Sequence, residues 1–205
     1  MAHSGDTIPD TYIMELVAAC LRGDVAVLRE ALGHTHPRAR ILALRGLARA
    51  NDLTAADWSM LCADTDAGVR RETLSEMGSR GTCHISSAQL IALLGDADPL
   101  VAEAAAYVAG EGDVTECEAA LIDMVTSHDD SRCRETAVVA LGMLGKDSSR
   151  STIVAALVDK PTVRRRAIVA LANFEGEDVE EALDRAADDR DWQVRSAVEL
   201  LRRND

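Results

Sequence analysis

The stretch DADPLVAEAAAYVAG (96–110) decides how this chain folds. It opens with an aspartate before a proline. Val101, Ala105, Ala106 and Ala109 follow at spacings that put all four on one face of an α-helix. Asp98 stands where a side-chain oxygen can accept from the free N–H groups of a first helical turn. Pro99 stands at the first helical position, where a missing N–H costs nothing. One such helix would be ordinary, but the chain repeats it.

The same pattern recurs as HTHPRARILALRGLA (34–48), DTDAGVRRETLSEMG (64–78), HDDSRCRETAVVALG (128–142), DKPTVRRRAIVALA (159–172) and DRDWQVRSAVELLR (189–202). The residues four before a frequent arginine are His36, Asp66, Asp98, Asp130, Lys160 and Asp191, spaced 30, 32, 32, 30 and 31 apart. A period this regular is the mark of a repeat architecture. Each copy reads as two helices. The second, helix B, follows the anchor. In the fifth copy its inward positions are Val163, Ala167, Ile168 and Leu171. The first, helix A, spans roughly 24–32, 54–63, 86–95, 115–127, 150–158 and 178–187.

Local signals agree. Thr54 with Asp57, Ser86 with Gln89, Thr115 with Glu118 and Asp178 with Glu181 have the spacing of a capping box. Asp66, Asp98, Asp130 and Asp191 are placed to cap the B helices, and Pro37, Pro99 and Pro161 to open them. Gly78, Gly110, Gly142 and Gly145 are read as B-helix ends. No segment alternates as a strand would.

These residues carry a resemblance to the HEAT repeat family, in particular to the short HEAT-like repeats first described in phycobilisome lyases. The resemblance extends over about residues 24–203. It implies an all-α fold, a right-handed α-solenoid (armadillo/HEAT-like superhelix) of stacked helix pairs. The expected organisation is an N-terminal capping helix in 1–23, then repeats at about 24–51, 52–82, 83–113, 114–146, 147–176 and 177–205 in one continuous domain. In the last B helix, Glu199 and Arg202 occupy columns that are apolar in the other copies, as the outer face of a terminal repeat requires.

Composition narrows the function. With 47% hydrophobic but only 2% aromatic residues, the core must be built from small aliphatic side chains. The net charge of −13 argues against nucleic acid and anionic membrane as partners. No apolar run is long enough to span a bilayer. The start MAHSGDTIPD lacks the basic and apolar regions of a secretory signal. Five cysteines without a C-x-x-C pair argue against a disulfide framework. Together these give the expectation of a cytoplasmic protein.

Charge is unevenly placed. The B segments (36–50, 66–80, 98–112, 130–146, 160–174 and 191–203) hold 17 basic and 10 acidic residues, a balance of +7, whereas the rest of the chain carries −20. The resemblance implies that B helices line the concave surface. The middle of their exposed face falls nine residues after each anchor, at Arg45, Ser75, Tyr107, Val139, Val169 and Leu200. Arg49 and Met143 lie one turn further on, and Arg71, Arg165 and Arg166 flank the row. An apolar strip with a charged rim is how partner surfaces are often built. Candidate contacts are therefore Arg45, Arg49, Arg71, Tyr107, Val139, Met143, Arg165, Arg166 and Val169.

A second column holds Arg40, Arg70, Arg134, Arg164 and Arg195, broken by Ala102. The resemblance implies a structural role, an Arg–Asp ladder linking neighbouring repeats. Asp66, Asp98, Asp130 and Asp191 are the candidate acids. If exposed, such pairs are worth roughly 0–1 kcal/mol each.

Chemistry is less well supported. No phosphate loop, nucleophile elbow or zinc-protease helix motif occurs. Cys20, Cys62 and Cys133 sit at apolar helix positions, which leaves Cys83 beside His84 as the one thiol to test for reactivity. His34 and His36 suggest a metal pair but align with Asp96 and Asp98 of the third copy. His128 shares the column of His34 three repeats away, on the order of 25–30 Å at the usual helix spacing. The pair therefore reads as a variant loop beside the N-terminal helix. The reading is a scaffold without catalysis, metal or cofactor that binds an unidentified protein or peptide through the concave B-helix face. The alternative is a HEAT-like enzyme, a DNA base-repair glycosylase or a chromophore lyase. Self-association through the same strip is a third reading.

Overall fold

The computed structural model describes residues 8–203. Among them are thirteen α-helices and no strand. The chain forms two compact units that meet in sequence at Arg80 and Gly81.

The first unit holds α1 (Asp10–Arg22), α2 (Val25–Ala31), α3 (Pro37–Ala50), α4 (Ala55–Cys62) and α5 (Ala67–Gly78). Helix α1 packs on α2 and α3, covering the first pair, and α3 packs on α5. Leu16, Leu28, Leu44, Leu47, Leu74 and Met77 have no exposed surface.

The second unit holds α6 (Ser87–Leu94), α7 (Pro99–Glu111), α8 (Glu118–Ser127), α9 (Ser131–Leu144), α10 (Arg150–Ala155), α11 (Pro161–Leu171), α12 (Glu177–Ala187) and α13 (Trp192–Arg202). The B helices α7, α9, α11 and α13 pack each on the next, and each packs on its own A helix. Val163, Ala167, Ile168 and Leu171 are all buried, as their spacing predicts. Burying a valine, isoleucine or leucine side chain contributes roughly 1.5–3 kcal/mol. Glu199 and Arg202 of α13 are exposed.

Most caps follow the sequence. Asp66 accepts from the Val69 N–H at 3.1 Å, Asp98 from Leu100 at 2.8 Å, Asp130 from Arg132 at 2.9 Å and Asp191 from Gln193 at 2.9 Å. Thr54 and Asp57 form a reciprocal capping box. Ser86 accepts from the Gln89 N–H.

Two expected boxes do not form. Thr115 opens a 3₁₀ turn (Thr115–Cys117), and α8 begins only at Glu118. Glu118 instead reaches the next repeat, pairing with Lys146 at 3.3 Å. Helix α12 starts before Asp178, behind Gly176, and the Asp178 carboxylate lies 3.3 Å from Arg150 of α10. In both cases the acid is engaged by a cation of a neighbouring repeat.

The glycines need a further correction. Gly145 is a left-handed C-cap at φ 59. Gly110 and Gly142 lie within their helices. A Cβ on Gly142 would meet the Ala170 Cβ at 2.6 Å and its Cα at 2.8 Å. A Cβ on Gly110 would meet the Ala140 Cα at 3.0 Å. These glycines let successive B helices approach backbone to backbone.

Candidate functional site

The arginine column is engaged in structure. The Arg40 guanidinium grips Asp64 with two bonds of 2.7 Å, and its third nitrogen donates to the carbonyls of His34 and Thr35. Arg134 grips Asp159 at 2.6 and 2.8 Å, and Arg164 grips Asp189 at 2.9 and 2.8 Å. Arg70 and Arg195 donate to the carbonyls of Asp64 and Asp189 respectively. The gripped acids are therefore Asp64, Asp159 and Asp189. Asp66, Asp130 and Asp191 are capping acids, and Asp98 caps α7 in the same way. A cap must stand directly before its helix, whereas a ladder acid must reach back to the preceding repeat. In the A helix α4 one carboxylate does both, since Asp57 closes the Thr54 box and also meets Arg29 of the preceding repeat at 2.9 Å.

The ladder pairs are also less exposed than surface ion pairs. Side-chain exposure is 6% for Arg164 and 15% for Asp189. The Arg134 guanidinium holds Asp159 below the usual carboxylate range, against the upward pull of burial. Burial also pulls Asp189 up, but Arg164 and the Asp191 N–H outweigh it.

The histidines complete this pattern. His34 Nδ1 accepts from the His36 N–H at 2.9 Å, and His36 Nδ1 accepts from the Arg38 N–H at 3.2 Å. These are the bonds that Asp96 and Asp98 make in the third repeat. His128 Nδ1 likewise accepts from Asp130. His128 follows Ala102, the one column member that cannot grip an acid. His34 has the Tyr12 ring stacked on it, with centroids 5.1 Å apart. A ring nitrogen can replace a carboxylate in the loop wherever no arginine has to be matched. Among the described residues no group of three or more His, Cys, Asp or Glu side chains is arranged to hold a metal.

The cysteines are packing groups or turn donors. Burial pushes the Cys133 and Cys117 thiols up to about 11. Cys133 donates to the Pro99 carbonyl and Cys83 to the Ile85 carbonyl. His84 pairs with the Thr82 hydroxyl at 3.1 Å.

The candidate contact residues fall in both units. In the first, Arg45 and Arg49 line a cavity of 230 Å³ with Val17, Cys20 and Leu42, between α1 and α3. Arg45 is also bonded to Glu72 at 2.5 Å, and Arg71 is exposed.

The second unit carries an exposed apolar residue on each of its B helices. Tyr107 on α7, Met143 on α9, Val169 on α11 and Leu200 on α13 are 42 to 57% exposed on successive B helices. Val139 is only half-buried and belongs partly to the packing. Arg166 pairs with Glu135 at 3.0 Å, while Arg165 donates to the Gln193 side-chain carbonyl at 2.8 Å.

The row ends in a 490 Å³ groove between α11 and α13. Val169, Leu200 and Trp192 line it, with Arg165 and Arg166. Trp192, 66% exposed, is absent from the residues selected by sequence. Its signal was available: it stands at the first helical position, where the other copies have Pro37, Ala67, Pro99, Ser131 and Pro161.

Residues 87–172 match the family model described as HEAT repeats. No curated protein matches the chain. Among solved structures, an engineered protein superposes with a TM-score of 0.66 at 18% identity, covering 88% of this chain and 98% of its own. A designed armadillo repeat protein in complex with the peptide (KR)4 superposes with a TM-score of 0.66 at 14% identity, over 87% of this chain and 98% of that one. At such identities the likeness establishes the fold, an armadillo/HEAT-type α-solenoid.

Proposed function

We propose that this chain, whose residues 87–172 match the HEAT repeat model, is a scaffold that binds a protein or peptide through its B-helix face. A repeat solenoid of this kind is typical of protein-binding scaffolds. One observation carries the finer reading. Tyr107, Val169 and Leu200, together with Met143 one turn further along α9, stay exposed on four packed helices, at positions a solvated helix face fills with polar residues. Gap-filling between helices would have buried them, as it does Ala140 and Ala170. The designed armadillo protein bound to (KR)4 is one instance in which such a scaffold takes a linear peptide.

The test is affinity capture from the native cell with the wild-type chain and a Tyr107→Ala/Met143→Glu variant. Both substituted side chains lie outside the α11/α13 groove. The variant should lose the captured partner while keeping its far-UV helicity. Capture that survives in a helical variant contradicts the reading. Light scattering of the purified chain tells a foreign partner from a second copy.

A further inference from the structure

The groove between α11 and α13 runs against the net charge of the chain. The chain has 35 acidic and 22 basic residues. Yet the groove's lining contains Arg165 and Arg166 and no carboxylate. Arg166 is already matched by Glu135. Arg165 is bonded to the neutral Gln193 amide, so its charge is available to a ligand. Below the guanidinium the wall is apolar: Val169, Ala172, Ala197, Leu200 and the exposed indole of Trp192. At 490 Å³ the space is within the range that holds a large side chain or small ligand.

We infer that this groove is the anchor subsite of the B-helix face, and that it takes an acidic linear segment carrying a large apolar side chain. The inference rests on the reading of that face as a partner surface and adds the chemistry of the partner. The apolar side chain lies against Trp192, Val169 and Leu200. A neighbouring carboxylate meets Arg165, whose planar fork suits a two-oxygen acceptor. Charge complementarity thus selects the opposite sign of ligand from the (KR)4 peptide of the designed armadillo protein.

Trp192 supplies the readout. The other tryptophan, Trp58, is buried at 5% exposure, so a change in emission on titration reports Trp192. The probes are a short peptide of Glu residues around a central Phe, the same peptide with Lys for Glu, and (KR)4. The Glu/Phe peptide should shift the emission to shorter wavelength and saturate. The Lys/Phe peptide and (KR)4 should not. A Trp192→Phe variant should lose the signal, and Arg165→Glu should weaken binding at least tenfold at unchanged helicity. Equal binding of the Lys/Phe peptide overturns the inference, as does an unmoved emission with the Glu/Phe peptide or an unchanged affinity in Arg165→Glu. If the groove fails while Tyr107→Ala/Met143→Glu still abolishes capture, only the anchor assignment falls. If that variant retains capture, the reading of the face falls with it.

Discussion

At the scale of single residues, the arginine column determines which loop residues are aspartate. Arg40, Arg134 and Arg164 each hold an acid of the next loop. Removing one partner of a poorly solvated pair leaves the other charge stranded, at about 3–5 kcal/mol when burial is full. Arg164→Ala should therefore lower the denaturant midpoint by an amount equivalent to about 3 kcal/mol, read by circular dichroism, with affinity for a B-face ligand retained.

Acid should act on the same pairs. Asp159 has a folded-state pKa below its unfolded value. Its stabilisation is thus fully present above the unfolded pKa of about 3.9 and is lost as pH falls through the lower folded value. An Asp159→Asn variant should be less stable at neutral pH, and its stability should fall less steeply below about pH 4.

The column also makes a constructive prediction. Ala102→Arg combined with His128→Asp should show favourable coupling in a double-mutant cycle, because it recreates the Arg40–Asp64 pairing. Additive effects would show that the ladder is not what ties these two positions together.

At the scale of the helix, much was legible in the sequence. The period, the order of A and B helices, the capping Asp66, Asp98, Asp130 and Asp191, and the proline starts depend on neighbours in the chain, and the sequence shows those directly. The boxes expected at Thr115 and Asp178 do not form, and the acids Glu118 and Asp178 pair instead with Lys146 and Arg150 in neighbouring repeats, which no local spacing encodes. Gly110 and Gly142 were misread for a similar reason. Their role depends on the distance between two helices, which no local pattern encodes.

That role is testable. Helix propensity alone favours alanine over glycine by about 1 kcal/mol. Yet Gly142→Ala should destabilise, because its Cβ would fall 2.6 Å from that of Ala170. Adding Ala170→Gly should recover part of the loss in chemical denaturation. A stabilised Gly142→Ala protein would show that α9 and α11 do not pack so closely.

At the scale of the whole molecule, the fold class could be read from repetition, and so could the exposure of Tyr107, Val169 and Leu200, whereas Val139 of the same column is half-buried. The α11/α13 groove could not, since a cavity depends on how far two helices stand apart. Among the described residues, no helix is long and apolar enough to cross a membrane. The central claim is that the second unit's B-helix face meets the partner. Methionine methyl groups test it most directly. Met143 is 45% exposed in the apolar row, and Met60 is 50% exposed on the A helix α4. In protein with isotope-labelled methionine methyls, saturation with the captured partner should shift or broaden the Met143 resonance and leave Met60 in place. A partner that moves Met60 and leaves Met143 untouched would contradict the account.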